Sequence, residues 1–503
     1  MRKVALIVLD GWGIGKNEKN NAIYMAKPRF FNYLISNFPN TQLQTSGEAV
    51  GLPNGQIGGS EVGHLTMGAG RVLLESLTHI NLAFSNQSEI NKVLQTPALQ
   101  QFIKHAQQKP AHLIGLVSSG GVHSHINHLY SLLKIMKQQH CLSPNIHFIS
   151  DGRDTPTQSG IIYAKELLQF IDNLGFGKVV TLCGRFFAMD RDNNLDRTKK
   201  AVAKIINLSP APLKSVSLIK AFEQSYQNKI TDEFIEPAIV NRAYSGINKD
   251  EPIFFFNFRA DRTRELVTLI NQSLPNNPLT TIARYDQRYI YPVVFEKAHA
   301  EITLAKIISE HGLSQLRVAE TEKAPHVTYF FSGGTETVFP NEYRIIIPSN
   351  KVKHDVMPEM KAKEVTDGVI DFVSKNQPNF ILINYANCDM VGHTGNFPAM
   401  ITAIQALDQE LERLCSYLTK QSYICVITAD HGNSDFAFDL TTKEINTAHT
   451  LNPVPFIIYS TDNTYQLKPN ETVSFGLSDV AGTILDLMEI EKPKKNFNSL
   501  LKN

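Results

Sequence analysis

Short apolar runs that stop abruptly at polar clusters recur along the chain. Val4–Leu9 ends at Asp10-Gly11, Leu113–Val117 at Ser118-Ser119-Gly120-Gly121, and Ile146–Ile149 just before Asp151-Gly152-Arg153-Asp154. Val179–Cys183 leads to Gly184-Arg185, Ile253–Phe256 to Asn257-Phe258-Arg259, Phe380–Ile383 to Asn384, and Tyr423–Ile427 towards Asp430-His431. Runs this short and without polar alternation suit strands buried on both faces, with helices covering them. One such helix is predicted after Pro398, where Met400, Ile401, Ile404, Leu407, Leu411 and Leu414 recur at helical spacing. The pattern predicts an α/β fold whose ligands lie beyond the carboxyl ends of the strands.

The residues at those strand ends are of two kinds. Near the two ends of the chain they are Asp10, Asp389, His393, Asp430, His431 and His449; in the middle they are Arg153, Arg185, Arg191, Arg259, Arg262 and Arg264. The first group suits a divalent cation and the second an anion. The simplest organisation is a metal domain made of residues 1–75 and 298–503, with an anion-binding domain inserted at 76–297.

Composition sharpens this in three places. A chain of 503 residues holds two to four domains at roughly 100–200 residues each. Lys+Arg 49 against Asp+Glu 48 gives a net charge of +1, which argues against a polybasic nucleic-acid binder, so charged sites come from local clustering. Five scattered cysteines with no CxxC pair favour a reducing compartment. The Val4–Leu9 run is too short for a signal-peptide core or a membrane span, and no later run reaches about 18 apolar residues. The expectation is a cytoplasmic, monomeric enzyme with a small-molecule substrate and neither a nucleic-acid nor a membrane partner.

Asp389-Met-Val-Gly-His393 places a carboxylate and an imidazole on one face if that stretch is helical. With Asp10, Asp430, His431 and His449 the set is three carboxylates and three imidazoles without a thiolate. That donor set points to Mn²⁺, Mg²⁺ or catalytic Zn²⁺, and six ligands fit two ions better than one with open positions. Each motif alone is weak, since Asp430-His431-Gly432-Asn433 also makes an ordinary turn. Ser60, in Gly58-Gly59-Ser60-Glu61-Val62-Gly63-His64, sits where a glycine-rich turn enters a helix. It is either a phosphate-cradling nucleophile or a plain N-cap. A metal ion beside it would favour the first by lowering its hydroxyl pKa. Gly11-Trp12-Gly13-Ile14-Gly15-Lys16 fits no nucleotide-loop pattern.

Taken in order, the motifs resemble those of the cofactor-independent phosphoglycerate mutases over essentially the whole chain. They include Leu9-Asp10-Gly11-Trp12-Gly13, Gly59-Ser60-Glu61-Val62-Gly63-His64, Gly120-Gly121-Val122-His123-Ser124-His125 and Asp151-Gly152-Arg153-Asp154. Further along come Met189-Asp190-Arg191, Asn257-Phe258-Arg259-Ala260-Asp261-Arg262, Glu320-Thr321-Glu322-Lys323, Asp389-Met390-Val391-Gly392-His393, Asp430-His431-Gly432-Asn433 and Thr447-Ala448-His449-Thr450.

The resemblance implies an alkaline-phosphatase-like metal domain interrupted by a transferase domain. It also implies interconversion of 3-phosphoglycerate and 2-phosphoglycerate without 2,3-bisphosphoglycerate. By the same resemblance, Asp389, His393 and His449 hold one Mn²⁺, and Asp10, Ser60, Asp430 and His431 the other. Ser60 carries the phosphoryl group, Asp154 acts as general base, and Lys323 neutralises developing charge. His123, Arg153, Asp154, Arg185, Arg191, Arg259, Arg262 and Lys323 contact substrate. The chain departs from the family pattern at Gly59, where Asn is usual, at Ser119, at Leu73-Leu74-Glu75 and at Ala324-Pro325. None of these removes an implied ligand or charge. The nearest rivals are a phosphopentomutase or phosphomonoesterase sharing the Asp/His set, and a non-catalytic protein derived from the same fold.

Overall fold

All seven apolar runs form strands, namely Lys3–Leu9, His112–Leu116, Asn145–Ser150, Lys178–Gly184, Ile253–Phe255, Phe380–Tyr385 and Tyr423–Thr428. The computed structural model describes residues 1–207, 216–296, 300–462, 464–469, 475–493 and 497–502. The chain divides into two compact units, Met1–Leu74 with Ala298–Asn503, and Glu75–Lys297. Each is an α/β unit with its own seven-stranded sheet. Among the described residues no helix is long and apolar enough to cross a membrane.

In the first unit the sheet order is Glu342–Ile347, Gln315–Glu320, Phe380–Tyr385, Lys3–Leu9, Tyr423–Thr428, Val454–Tyr459, Asn40–Leu43. The first five strands are parallel, while Val454–Tyr459 runs antiparallel to both its neighbours. Val4 to Leu9 are wholly buried, as a parallel strand covered on both faces must be. Truncating one of them, Leu6 for instance, to Ala would cost about 2–5 kcal/mol in transfer and cavity energy. Register then does the functional work. Val8 lies opposite Asn384 on one side and Thr428 on the other, so Asp10, Asn384 and Asp430 emerge together at one sheet edge.

The predicted helix spans Phe397–Lys420 and buries Met400, Ile404, Leu407, Leu411 and Leu414. Asn396 caps it by accepting from the Ala399 N–H, and Pro398 occupies the first turn, where no intrahelical donor is needed.

The second unit orders its strands Ala238–Ile239, Lys178–Gly184, Asn145–Ser150, His112–Leu116, Ile253–Phe255, Leu279–Ala283, Val293–Phe295. All pairs are parallel except the short edge strand Ala238–Ile239. Strand order reverses between His112–Leu116 and Ile253–Phe255. A crevice opens at such a switch point, and the segments that leave these strands carry His123 and Arg259.

Candidate metal centre and anion cluster

In the first unit the Asp and His side chains singled out above converge on the hydroxyl of Ser60. Asp10 ends its strand at a turn through Gly11, whose φ of +80° suits glycine. That turn packs so closely that a Cβ on Gly11 would fall 2.6 Å from the Asp389 backbone nitrogen. Asp389 lies on the short helix Asn387–Gly392 and His393 at its C-cap, so the two share a face and their Oδ1 and Nε2 atoms stand 3.1 Å apart. Ser60 is the first residue of helix Ser60–Ala69, with Gly59 as the N-cap and no side-chain cap. The N-cap alternative is therefore excluded, and the hydroxyl turns to other partners. It lies 2.8 Å from His431 Nε2, donates to Asp10 Oδ1 at 3.1 Å and accepts from Lys323 Nζ at 2.8 Å. Helix and Asp430 segment approach this closely because residue 63 is glycine, where a Cβ would come within 2.9 Å of Asp430 Cβ.

The donor set fits divalent cations. His393 Nδ1 donates to the Thr447 carbonyl at 2.7 Å and His449 Nδ1 to the Gly58 carbonyl at 2.8 Å. With both Nδ1 atoms so engaged, the Nε2 atoms are the ones available to a metal in the neutral rings. Without a metal, the Asp389 carboxylate raises the His393 pKa by accepting a hydrogen bond from it. The two Nε2 atoms face each other at 3.2 Å, each 3.1 Å from Asp389 Oδ1. Ligands about 2.0–2.2 Å from a metal are spaced in this way. Two further ligand groups, Asp10–Asp389–His431 and Asp10–His64–Asp430, have their ligand atoms within 4.8 Å of one another. Asp430 Oδ2 is buried without a well-aligned hydrogen bond.

Charge tells the same story. Asp10, Asp389 and Asp430 are buried against one ammonium, that of Lys323, which donates to Asp10 at 2.7 Å and Asp389 at 2.6 Å. Burial disfavours every charge here, yet mutual attraction wins. Asp10, Asp389 and Asp430 raise the Lys323 pKa, Lys323 and the histidines hold Asp389 and Asp430 well below the carboxylate range, and the carboxylates push His431 up to about 9.

The second unit collects the opposite charge. Arg185 is 2% exposed, and its Nη1 donates to Asp151 Oδ1 at 2.7 Å and Asp154 Oδ2 at 2.6 Å. His123 Nε2 stands 3.8 Å from Asp154 and its Nδ1 3.8 Å from Asp261. Burial, then the Arg185 guanidinium, pushes His123 down to about 4, so it is neutral at pH 7. Arg191 and Arg259 meet Asp261 at 3.4 and 3.2 Å, and Arg153 meets Glu233 at 3.3 Å. Burial, then Arg191, Arg185 and Arg153, lowers the Arg262 pKa, the mark of guanidinium groups crowded together. Arg264 does not join them. Its Nε donates to the Tyr285 carbonyl at 2.7 Å.

Two residues of the centre were missed in the sequence. His64 is fully buried, with Nδ1 2.9 Å from the Ser60 carbonyl and 3.3 Å from Asp430 Oδ2. Asn384 donates to Asp10 Oδ2 at 2.7 Å and lies 3.1 Å from His64 Nε2. Together they brace two carboxylates of the centre. The available signals were His64 one helical turn after Ser60 and Asn384 at a buried strand end. The departures from the family pattern are accommodated. A Cβ on Gly59 would make ordinary contact with the His449 ring at 3.6 Å, and Ser119 pairs with the Tyr163 hydroxyl at 2.7 Å. Lys323, just before Ala324-Pro325, is buried among its partners.

Comparison with known proteins places this geometry in a lineage. The model of the metalloenzyme superfamily matches residues 2–492. The 2,3-bisphosphoglycerate-independent phosphoglycerate mutase of Bacteroides thetaiotaomicron is 40% identical over 505 residues, covering 98% of both chains. That of Rippkaea orientalis is 41% identical over 511 residues, covering 98% of this chain and 94% of its own. The crystal structure of Leishmania mexicana phosphoglycerate mutase at low cobalt concentration aligns with a TM-score of 0.65 at 27% identity, covering 100% of this chain and 98% of that one. The chain is thus an α/β protein whose second unit interrupts the first, matched to the metalloenzyme superfamily over nearly its whole length. By shared sequence along nearly its whole length, the chain belongs to the metalloenzyme superfamily and, within it, to the 2,3-bisphosphoglycerate-independent phosphoglycerate mutases.

Proposed function

We propose that this protein interconverts 3-phosphoglycerate and 2-phosphoglycerate through a phosphoserine on Ser60, as a cytoplasmic monomer of glycolysis and gluconeogenesis that uses two Mn²⁺ and no 2,3-bisphosphoglycerate. The observation that carries the reading is the Ser60 hydroxyl, set among Asp10, His431 and Lys323 within 3.1 Å. Asp389, His393 and His449 are the proposed ligands of one ion, and Asp10, Ser60, Asp430 and His431 those of the other. When bound, the ions supply neutralising charge for a transferring phosphoryl group and acidify the serine hydroxyl.

The chain's own groups do the rest. Lys323 Nζ donates to Ser60 Oγ and opposes the negative charge that builds there as the hydroxyl proton leaves. Ser60 Oγ bonds to phosphorus while the phosphorus–oxygen bond to glycerate breaks, and the freed glycerate oxygen takes up a proton. Arg153, Arg185, Arg191, Arg259 and Arg262 retain the glycerate and the anionic oxygens of its phosphate, since planar guanidinium groups match carboxylate and phosphate geometry. His123, neutral beside them, completes the substrate contacts. After the glycerate reorients, Asp154 takes the proton from its other hydroxyl, and that oxygen bonds to phosphorus as the phosphorus–Ser60 Oγ bond breaks and Oγ takes back a proton. Enhancements up to ~10²¹ are known for phosphate-monoester cleavage, so positioning and electrostatics are both needed.

The test is a mutase assay without bisphosphoglycerate on chelated protein, with single metals restored. Mutase turnover that returns with Mn²⁺ supports the reading. Release of inorganic phosphate without isomerisation would make the protein a phosphomonoesterase.

A further inference from the structure

Asp151 has no part in the chemistry above, yet its carboxylate, 1% exposed, holds three strand-end segments of the inserted unit at once. Its Oδ1 accepts from the Arg153 N–H at 3.2 Å, the Asp154 N–H at 3.0 Å and Arg185 Nη1 at 2.7 Å. Its Oδ2 accepts from Ser118 Oγ at 2.7 Å. Asp151 follows strand Asn145–Ser150, Arg185 the neighbouring strand Lys178–Gly184, and Ser118 the neighbour on the other side, His112–Leu116. The middle strand therefore grips both others. Ser118 passes the constraint on, since its hydroxyl also accepts from the Gly120 N–H at 3.3 Å, at the start of the segment that leads to His123.

The decisive feature is competition. Arg185 Nη1 is shared between two carboxylates, Asp151 at 2.7 Å and Asp154 at 2.6 Å. Without the charge of Asp151, a buried guanidinium has one anionic partner left and pairs with it fully. That partner is Asp154, whose acceptor oxygen is the one a base must offer. Without Oδ1, the turn that presents Arg153 and Asp154 also loses the acceptor for two of its amides. We propose that Asp151 is a positioning residue. Its charge keeps Arg185 from an exclusive pair with Asp154, and its Oδ1 fixes the Arg153–Asp154 turn, so that the anion of the substrate meets the arginines while Asp154 remains able to take a proton. The proposal rests on the mutase reading above.

Two variants of the metal-loaded enzyme separate the two roles. Asp151→Asn keeps the shape, an acceptor for the turn amides and a donor for Ser118 Oγ, but removes the charge. Asp151→Ala removes everything. For Asp151→Asn, kcat falls at least ~10-fold while KM and the calorimetric Kd for 3-phosphoglycerate stay within ~3-fold of wild type. For Asp151→Ala, KM and Kd also rise ~10-fold, about 1.4 kcal/mol. Circular dichroism and thermal melting give the folded fraction of each. If KM and Kd match wild type in Asp151→Ala and kcat in both variants merely tracks the folded fraction, the residue is structural and the proposal fails. If Asp151→Ala does not fold, the kcat of Asp151→Asn decides alone. A wild-type protein that binds 3-phosphoglycerate but does not isomerise it would sink the mutase reading, and the Kd values would still judge the positioning role.

Discussion

Replacing Lys323 by Met keeps an unbranched side chain one atom shorter and deletes its charge, which isolates what the ammonium does. It is 3% exposed and donates to Asp389 Oδ2 at 2.6 Å, Asp10 Oδ1 at 2.7 Å and Ser60 Oγ at 2.8 Å. Breaking a buried ion pair by removing one partner costs about 3–5 kcal/mol, because the other charge stays buried and uncompensated. In a unit of this size the loss lowers the melting temperature of chelated protein by on the order of 10 °C. Saturating Mn²⁺ replaces part of the missing charge and binds only the folded state, so the gap to wild type narrows when metal is added. Catalysis is not repaired in the same way. One donor aimed at developing charge is gone, and kcat falls by about 10²–10³ at saturating metal. Melting curves with and without chelator and a coupled mutase assay measure both effects. A kcat within threefold of wild type, together with an unchanged melting temperature in chelator, would refute the assignment of Lys323 to this charge balance.

Ser60→Ala is expected to abolish mutase turnover while circular dichroism and bound metal remain near wild type; substantial residual turnover contradicts the phosphoserine route. Asp154→Asn lowers kcat by roughly 10²–10⁴ with KM changed only a few-fold, and an unaltered turnover number would remove its role as base. Metal-loaded enzyme loses activity between pH 8 and about pH 6 as the ligand histidines protonate, whereas a flat profile would argue against histidine ligation. Chelated protein has the opposite slope. Lifted to about 9 by its carboxylate neighbours, His431 contributes stability that is complete below its unfolded pKa of about 6.5 and is lost as pH rises through about 9. The contribution is on the order of 3 kcal/mol, and a melting temperature that does not fall across that window would refute it.

How much of this could be read from the sequence depended on whether a residue answers to its neighbours in the chain or to residues far away. Central parallel strands are buried on both faces, so Val4–Leu9 and Tyr423–Ile427 had to be apolar throughout and were plain to see. Edge and near-edge strands obey no such rule. Gln315–Glu320 contains a fully buried Arg317, tolerated because its guanidinium lies over the Phe331 and Phe380 rings at 4.7 and 5.5 Å. No local pattern announces such a strand. The clustering of Asp10, Asp389, Asp430 and His431 was legible because strand ends in an open α/β sheet point to one edge, so polar residues just beyond them meet. His64, Asn384 and Asp151 were not. Each is a polar residue with partners on distant segments as well as near ones, and its meaning appears only when register is known.

The nearly neutral chain conceals two local imbalances of opposite sign, and these limit what each unit can bind. The first unit buries Asp10, Asp389 and Asp430 around Lys323, so it needs cations. In the second, Arg153, Arg185, Arg191, Arg259 and Arg262 stand against Asp151, Asp154, Asp261 and Glu233, five guanidinium groups to four carboxylates, so it suits an anion. Each deficit costs stability until its ligand arrives, which is why metal and substrate should each raise the melting temperature through binding to the folded state. If Ser60 carries the phosphoryl group as proposed, a hold on the glycerate also discriminates between reactions. A phosphoserine centre with no hold on the acid would release glycerate and pass its phosphoryl group to water, whereas guanidinium groups that keep the carboxylate bound favour return to the other hydroxyl. On this logic, neutralising Arg185 and its neighbours should raise the ratio of phosphate release to isomerisation, even where it lowers both rates.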